Sequence, residues 1–116
     1  MISVIIPVLN EEKALPATLQ QLFSQSGDVE VLAIDGGSTD NTLALIKADG
    51  RIQLYSSRTG RASQMNCGAR HARGEWLLFL HADTLLPGNA LTAVQQLPET
   101  TLAGGFRHRF SGSQWG

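Results

Sequence analysis

The sequence holds a single cysteine, Cys67, so no intrachain disulfide can form. Its setting beside Met65 and Ala69 suggests a small packing residue rather than a reactive thiol. No apolar run approaches the ~20 residues needed to cross a bilayer. The N-terminus has no basic stretch followed by an apolar segment and a cleavage site, so the expected compartment is the cytoplasm. An excess of either charge is missing as well: nine Lys and Arg against ten Asp and Glu leave a net charge of −1. That balance provides no broad attraction to nucleic acid or to anionic lipid. Two further absences exclude function classes. Lys13 and Lys47 are the only lysines, and neither falls late enough to serve a phospho-receiver domain. The first strand is followed by Leu-Asn-Glu-Glu-Lys, without the Gly-x-Gly-x-x-Gly turn of a dinucleotide-binding dehydrogenase. Internal repeats, low-complexity tracts and linkers are also lacking.

What is present fits one globular domain over residues 1–116. Hydrophobic residues make up 42% and charged residues 16%, and folding at this length removes roughly 60–70% of the unfolded chain's surface from water. Residues 2–8 read as a strand buried on both faces, because Val4, Ile5 and Ile6 are contiguous and β-branched and Pro7 falls near its end. Leu15, Leu19, Leu22 and Phe23 recur at helical spacing, with Pro16 in the first turn. A second strand over 29–34 closes on Asp35. Asp40 is placed to cap a helix running to about Ala48, with Leu43 and Ile46 inward and Asp49-Gly50 as the turn. Ile52 and Leu54 alternate with Gln53 and Tyr55, as in a strand near a sheet edge. Residues 60–73 form a helix with Ala62, Met65, Ala69 and Ala72 on one face and Gly74 as its stop. Residues 76–80 are unbroken apolar, the mark of a central parallel strand. Pro87-Gly88-Asn89 introduces a helix carrying Leu91 and Val94. Residues 101–110 are extended, with Phe106, His108 and Phe110 on one face and Arg107 and Arg109 on the other. The chain ends at Gly116 after Ser-Gly-Ser-Gln-Trp, which reads as an interrupted domain.

Alternating strands and helices predict an α/β layer fold with a mainly parallel sheet. In such sheets ligands bind where strand C-termini meet helix N-termini. Three strands deliver polar groups to that rim: Asn10 and Glu11 after the first, Asp35 after the second, Asp83 after the one at 76–80. Each has a structural alternative, as a helix cap, a turn former bonding its own backbone or a surface acid. Two carboxylates beside the Gly36-Gly37 turn suit a nucleotide, one accepting from base or ribose donors and the other holding a cation on the phosphates. Arg58, Arg61, Arg70 and Arg73 cluster within one segment.

The segments SVIIPVLNEE, DGGSTDNT, Asn66-Cys67-Gly68-Ala69 and GEWLLFLHADT resemble the successive signatures of family 2 glycosyltransferases, from about residue 2 to residue 110. The resemblance implies a Rossmann-like GT-A three-layer fold and a nucleotide-sugar-binding half with a divalent cation, Mg or Mn, on the diphosphate. It implies that Pro7, Asn10 and Glu11 border base and ribose and that Asp35 contacts the base. Arg61 is placed near base or phosphate, with plain solvent exposure as the alternative. Leu80-His81-Ala82-Asp83 overlies the family's metal-binding Asp-x-Asp, so Asp83 is the metal ligand and His81 replaces the first acid. His81 is open to ribose bonding, packing or metal ligation, and the first two are favoured; an imidazole ligand would shift preference towards a transition ion. The implied activity is transfer of a sugar from a UDP- or GDP-type donor to an unidentified acceptor, inverting, which requires a base for the acceptor hydroxyl. Glu99 is the sole acid after Asp83 and reads as structural, so the base is expected beyond Gly116. The rival reading is a donor-binding or assembly fragment without transferase activity. The donor base, the sugar, the acceptor and the oligomeric state stay open at this level.

Overall fold

Ile2–Val8 forms β1, and only Pro7 within it is not fully buried. This computed structural model describes residues 1–25 and 27–83, together with the backbone of 106–107. The other elements are α1 (Leu15–Phe23), β2 (Val29–Asp35), α2 (Thr42–Lys47), β3 (Ile52–Ser56), α3 (Arg61–His71), β4 (Trp76–Phe79) and β5 (Phe106–Arg107). The strand order is β3-β2-β1-β4-β5. β1 pairs in parallel with β2 from Ile2↔Val29 to Val8↔Asp35, and with β4 from Ile2↔Trp76 to Ile5↔Phe79. β3 adds in parallel to β2, and β5 runs antiparallel to β4. The expected mainly parallel sheet is therefore present, with β3 on an edge. The helix expected after Pro87 lies outside the described residues, as do the side-chain faces expected over 101–110.

Strand periodicity sorts the core into two layers. Ile2, Val4, Ile6 and Val8 join Leu15, Leu19 and Leu22 of α1 and Ile46 of α2 on one side of the sheet. Ile5, Leu32, Ile34 and Leu77 meet Cys67, Ala69 and Ala72 on the other. Cys67 is 3% exposed and packs there as expected. Burying each Ile or Leu contributes about 1.5–3 kcal/mol, so these layers hold the sheet while the rim loops stay polar.

The expected inward face of α3 is met at Ala69 and Ala72, which are buried, but not at Ala62 and Met65. Gln64, Cys67, Gly68 and Ala69 are buried, whereas Ala62 is exposed and Met65 half-buried. The reason is close approach. A Cβ on Gly68 would sit 2.4 Å from Cγ2 of Ile5 and 3.3 Å from Cγ1 of Ile34, so the helix rests on the sheet through its smallest residue. Gly68→Ala is expected to cost about 1–3 kcal/mol through overpacking. Urea denaturation would check this, and an unchanged midpoint would mean that α3 can shift outward freely. Gly74 is not the helix stop expected from the sequence; its small size serves a close approach instead. α3 ends three residues earlier, and a Cβ at Gly74 would lie 2.6 Å from the Met1 carbonyl oxygen.

At the N-terminal edge of the sheet, Glu30 is buried, 8% exposed. Its carboxylate accepts from Ser3 Oγ at 2.6 Å, the Arg73 backbone N–H at 2.5 Å and Gln53 Nε2 at 3.0 Å. The Arg73 guanidinium adds a 3.4 Å ion pair. Burial pushes the Glu30 carboxyl up, but these donors outweigh it and hold it below the usual carboxylate range. This cluster accounts for Arg73, one of the four arginines of that segment.

Candidate functional site

The C-terminal ends of β1, β2 and β4 meet at one rim, where parallel strands release their chain into loops. Asn10 is the one non-glycine residue with positive φ among the described residues, at 54°, a conformation that asparagine tolerates better than most. In that pose its Oδ1 accepts from the Thr39 N–H at 2.7 Å and the Asp40 N–H at 3.3 Å. Its own N–H donates to Ser38 Oγ at 3.0 Å. Asn10 thus clamps the loop after β1 to the loop after β2.

Asp35 is buried, and its carboxylate accepts from the backbone N–H groups of Gly37 at 3.0 Å and Ser38 at 3.1 Å. The local-turn alternative weighed from the sequence is therefore realised. A carboxylate so held is aimed by its own loop. Asp40 accepts from the N–H and hydroxyl of Thr42, the first residue of α2. It ties down that helix start from one position before the cap residue, Asn41, a small displacement from the expected capping position. It also accepts from the Glu12 N–H at 3.3 Å, and the Glu11 N–H donates to Thr42 Oγ1 at 2.8 Å.

Gln64 was not singled out from the sequence. It is 5% exposed and donates from Nε2 to the carbonyls of Val8 at 3.0 Å and Ile34 at 2.8 Å. It bridges β1 and β2 at the level of the rim, and Gly36 leaves room for its amide, which a Cβ there would meet at 2.9 Å. Thr59 donates from its hydroxyl to the Gly36 carbonyl, joining the loop after β3 to the same turn. The available signal was a polar residue three and four positions before the packed pair Cys67 and Gly68. Composition alone gives such a residue no target.

His81 and Asp83 are exposed just beyond β4. Among the described residues Asp83 has no ion-pair partner. The half-buried Glu11 carboxyl is pushed up by burial and then by the negative charges of Asp83 and Asp40, with His81 opposing. Glu11, Asp40, Asp83 and His81 therefore share one electrostatic neighbourhood, and it is short of positive charge. Among the described residues no three His, Cys, Asp or Glu side chains converge as a ready metal cage. Such a corner fits a hard divalent cation that takes one or two carboxylates and draws its remaining ligands from phosphate and water. It does not fit a structural metal enclosed by protein.

A pocket of about 90 Å³ opens between α3 and the ends of β1 and β4, lined by Pro7, Arg61, Met65, Phe79, Leu80 and His81. It brings together Pro7 of β1, Arg61 of α3 and His81 of the segment after β4. Its lining includes neither Asp35 nor Asp83. The rim accordingly consists of a small half-apolar pocket on the α3 side, the fixed Asp35 turn, and an acidic corner at Glu11 and Asp83.

Residues 3–114 match the model of the family described as Glycosyl transferase family 2. Over 93 residues the chain is 41% identical to a PGL/p-HBAD biosynthesis glycosyltransferase of Mycobacterium bovis, covering 74% of this chain and 36% of that protein. It superposes on Staphylococcus aureus TarS 1–349 in complex with UDP with a TM-score of 0.73 and 26% identity, over 81% of this chain and 30% of that one. The mannosyltransferase PcManGT from Pyrobaculum calidifontis, in complex with GDP-Man and Mn2+, gives a TM-score of 0.68 and 30% identity over 74% of this chain and 28% of that one. The chain thus spans about a third of the length of these relatives.

Proposed function

The chain belongs to glycosyl transferase family 2, and we propose that it forms the donor-binding part of an enzyme that transfers a sugar from a UDP- or GDP-type nucleotide to an acceptor, metal-assisted and with inversion. The observation that carries this reading is the convergence of Pro7, Arg61 and His81 on one pocket, with His81 also in the electrostatic neighbourhood of the acids Glu11 and Asp83. Relatives bound to UDP and to GDP-Man with Mn2+ support it.

In this assignment Pro7, Asn10 and Glu11 border base and ribose, and the Asp35 carboxylate accepts from the base. Arg61 neutralises phosphate or packs on the base, and His81 hydrogen-bonds ribose. Asp83 holds Mg or Mn. When bound, that cation neutralises the charge that grows on the departing nucleoside diphosphate. The protein's own share is preorganisation: Asn10, Gln64 and Thr59 fix the loops before any ligand arrives, so little ordering cost remains for binding. No base for the acceptor proton is assigned among the described residues.

A second reading is a donor-binding unit without turnover. Calorimetry with UDP and GDP in the presence of Mn2+, run beside a donor-hydrolysis assay, distinguishes the two. Metal-enhanced binding with turnover is the expected result. Binding alone selects the second reading, and absence of binding for both nucleotides overturns both.

A further inference from the structure

Thr18 sits in the middle of α1, far in sequence from the acids of the rim, and is 2% exposed. Its Oγ1 lies 2.5 Å from the Ala82 carbonyl oxygen and 3.2 Å from that of Ala14, one helical turn back. A hydroxyl has one hydrogen to donate, and the shorter contact marks Ala82 as the acceptor. Donation within the helix to Ala14 is the ordinary habit of a helical threonine, so the longer-range bond is the informative one.

The Ala82 carbonyl belongs to the planar peptide group that joins Ala82 to Asp83. Fixing that oxygen fixes the plane from which the Asp83 backbone departs. The same segment is anchored once more upstream, where the Leu80 N–H donates to the Ile5 carbonyl at 2.9 Å. Leu80 and Ala82 are both 3% exposed, whereas His81 and Asp83 face solvent. Two buried anchors therefore alternate with two presented side chains, and α1 supplies one of the anchors.

We propose that Thr18 is a positioning residue for the Asp83 carboxylate, setting how readily the rim takes up its divalent cation. This rests on the assignment of Asp83 as metal ligand. Outer partners that orient a ligand typically change metal affinity by about 10–100-fold when lost. Thr18→Val keeps the shape and removes the donor; Thr18→Ser keeps the donor. The test titrates Mn2+ into the full chain with UDP or GDP at fixed concentration, followed by calorimetry, with the same nucleotide affinities measured in chelator.

The expected result is that Thr18→Val raises the Mn2+ concentration for half-effect about tenfold. Metal-free nucleotide affinity should change by less than about twofold, and Thr18→Ser should restore the wild-type metal response. Thr18→Ala serves the same comparison if the valine variant does not fold. An unchanged metal response in the variants lacking the donor, or a serine variant as impaired as valine, overturns the proposal. Absence of any Mn2+ effect in the unmodified chain instead overturns the Asp83 assignment beneath it.

Discussion

Asp83→Ala is expected to abolish the metal-dependent part of nucleoside diphosphate binding, a loss of about 2–4 kcal/mol when the cation is fully engaged. The size follows from the ligand set. Among the described residues no cage of three His, Cys, Asp or Glu side chains exists to retain the ion without Asp83. Glu11 already has its carboxyl pushed up by burial and by Asp83, so it gains acidity when that neighbour is removed, but its backbone is tied to the start of α2. It therefore makes a poor replacement. The measurement is nucleotide affinity with and without Mn2+ for both proteins. The variant should bind equally under the two conditions, at the level the unmodified chain shows in chelator. Retention of a full metal effect would remove Asp83 from the site.

The second large effect concerns stability at the opposite end of the sheet. Glu30→Ala should cost about 2–4 kcal/mol, because it removes the acceptor of the buried Ser3 Oγ and of the part-buried Arg73 N–H and Gln53 Nε2. The pH dependence has a definite sign. The folded-state pKa of Glu30 lies below its ordinary value of 4.5. Its contribution is complete above that unfolded value and declines as pH falls through the folded one, since over that interval the unfolded chain binds more protons. Urea denaturation across pH 7 to pH 3 should show the gap between the two proteins narrowing at the acid end. A constant gap would mean that the carboxylate charge contributes nothing.

The strands were legible because their signal is local. β1 and β2 each carry a contiguous apolar run, and Gln53 and Tyr55 marked β3 as an edge by alternation. The rim was legible for the related reason that a strand ending on a polar residue announces where the chain leaves the sheet. α3 was misread at Ala62 because helical spacing identifies a set of candidate faces, whereas the face used was chosen by how closely Gly68 could approach Ile5. Thr18 and Gln64 gave no usable signal, since their partners lie 64 and 56 residues away. Asp35 and Asn10 show a subtler limit. The sequence offered a structural and a ligand-facing reading for each, and the structure fills the structural one: Asn10 Oδ1 accepts from Thr39 and Asp40, and the Asp35 carboxylate from Gly37 and Ser38.

The central place of β1 sets the order in which these strands can pair as they are made. The first of these strands to leave the ribosome is flanked on both sides in the sheet, by β2 and by β4. Its pairing with residues 29–35 can form early, but the opposite edge waits for residues 76–79. Until then a row of unpaired backbone donors and acceptors, set among apolar side chains, stands open to any passing strand. Holdase capture of nascent chains should therefore peak just before Trp76 emerges.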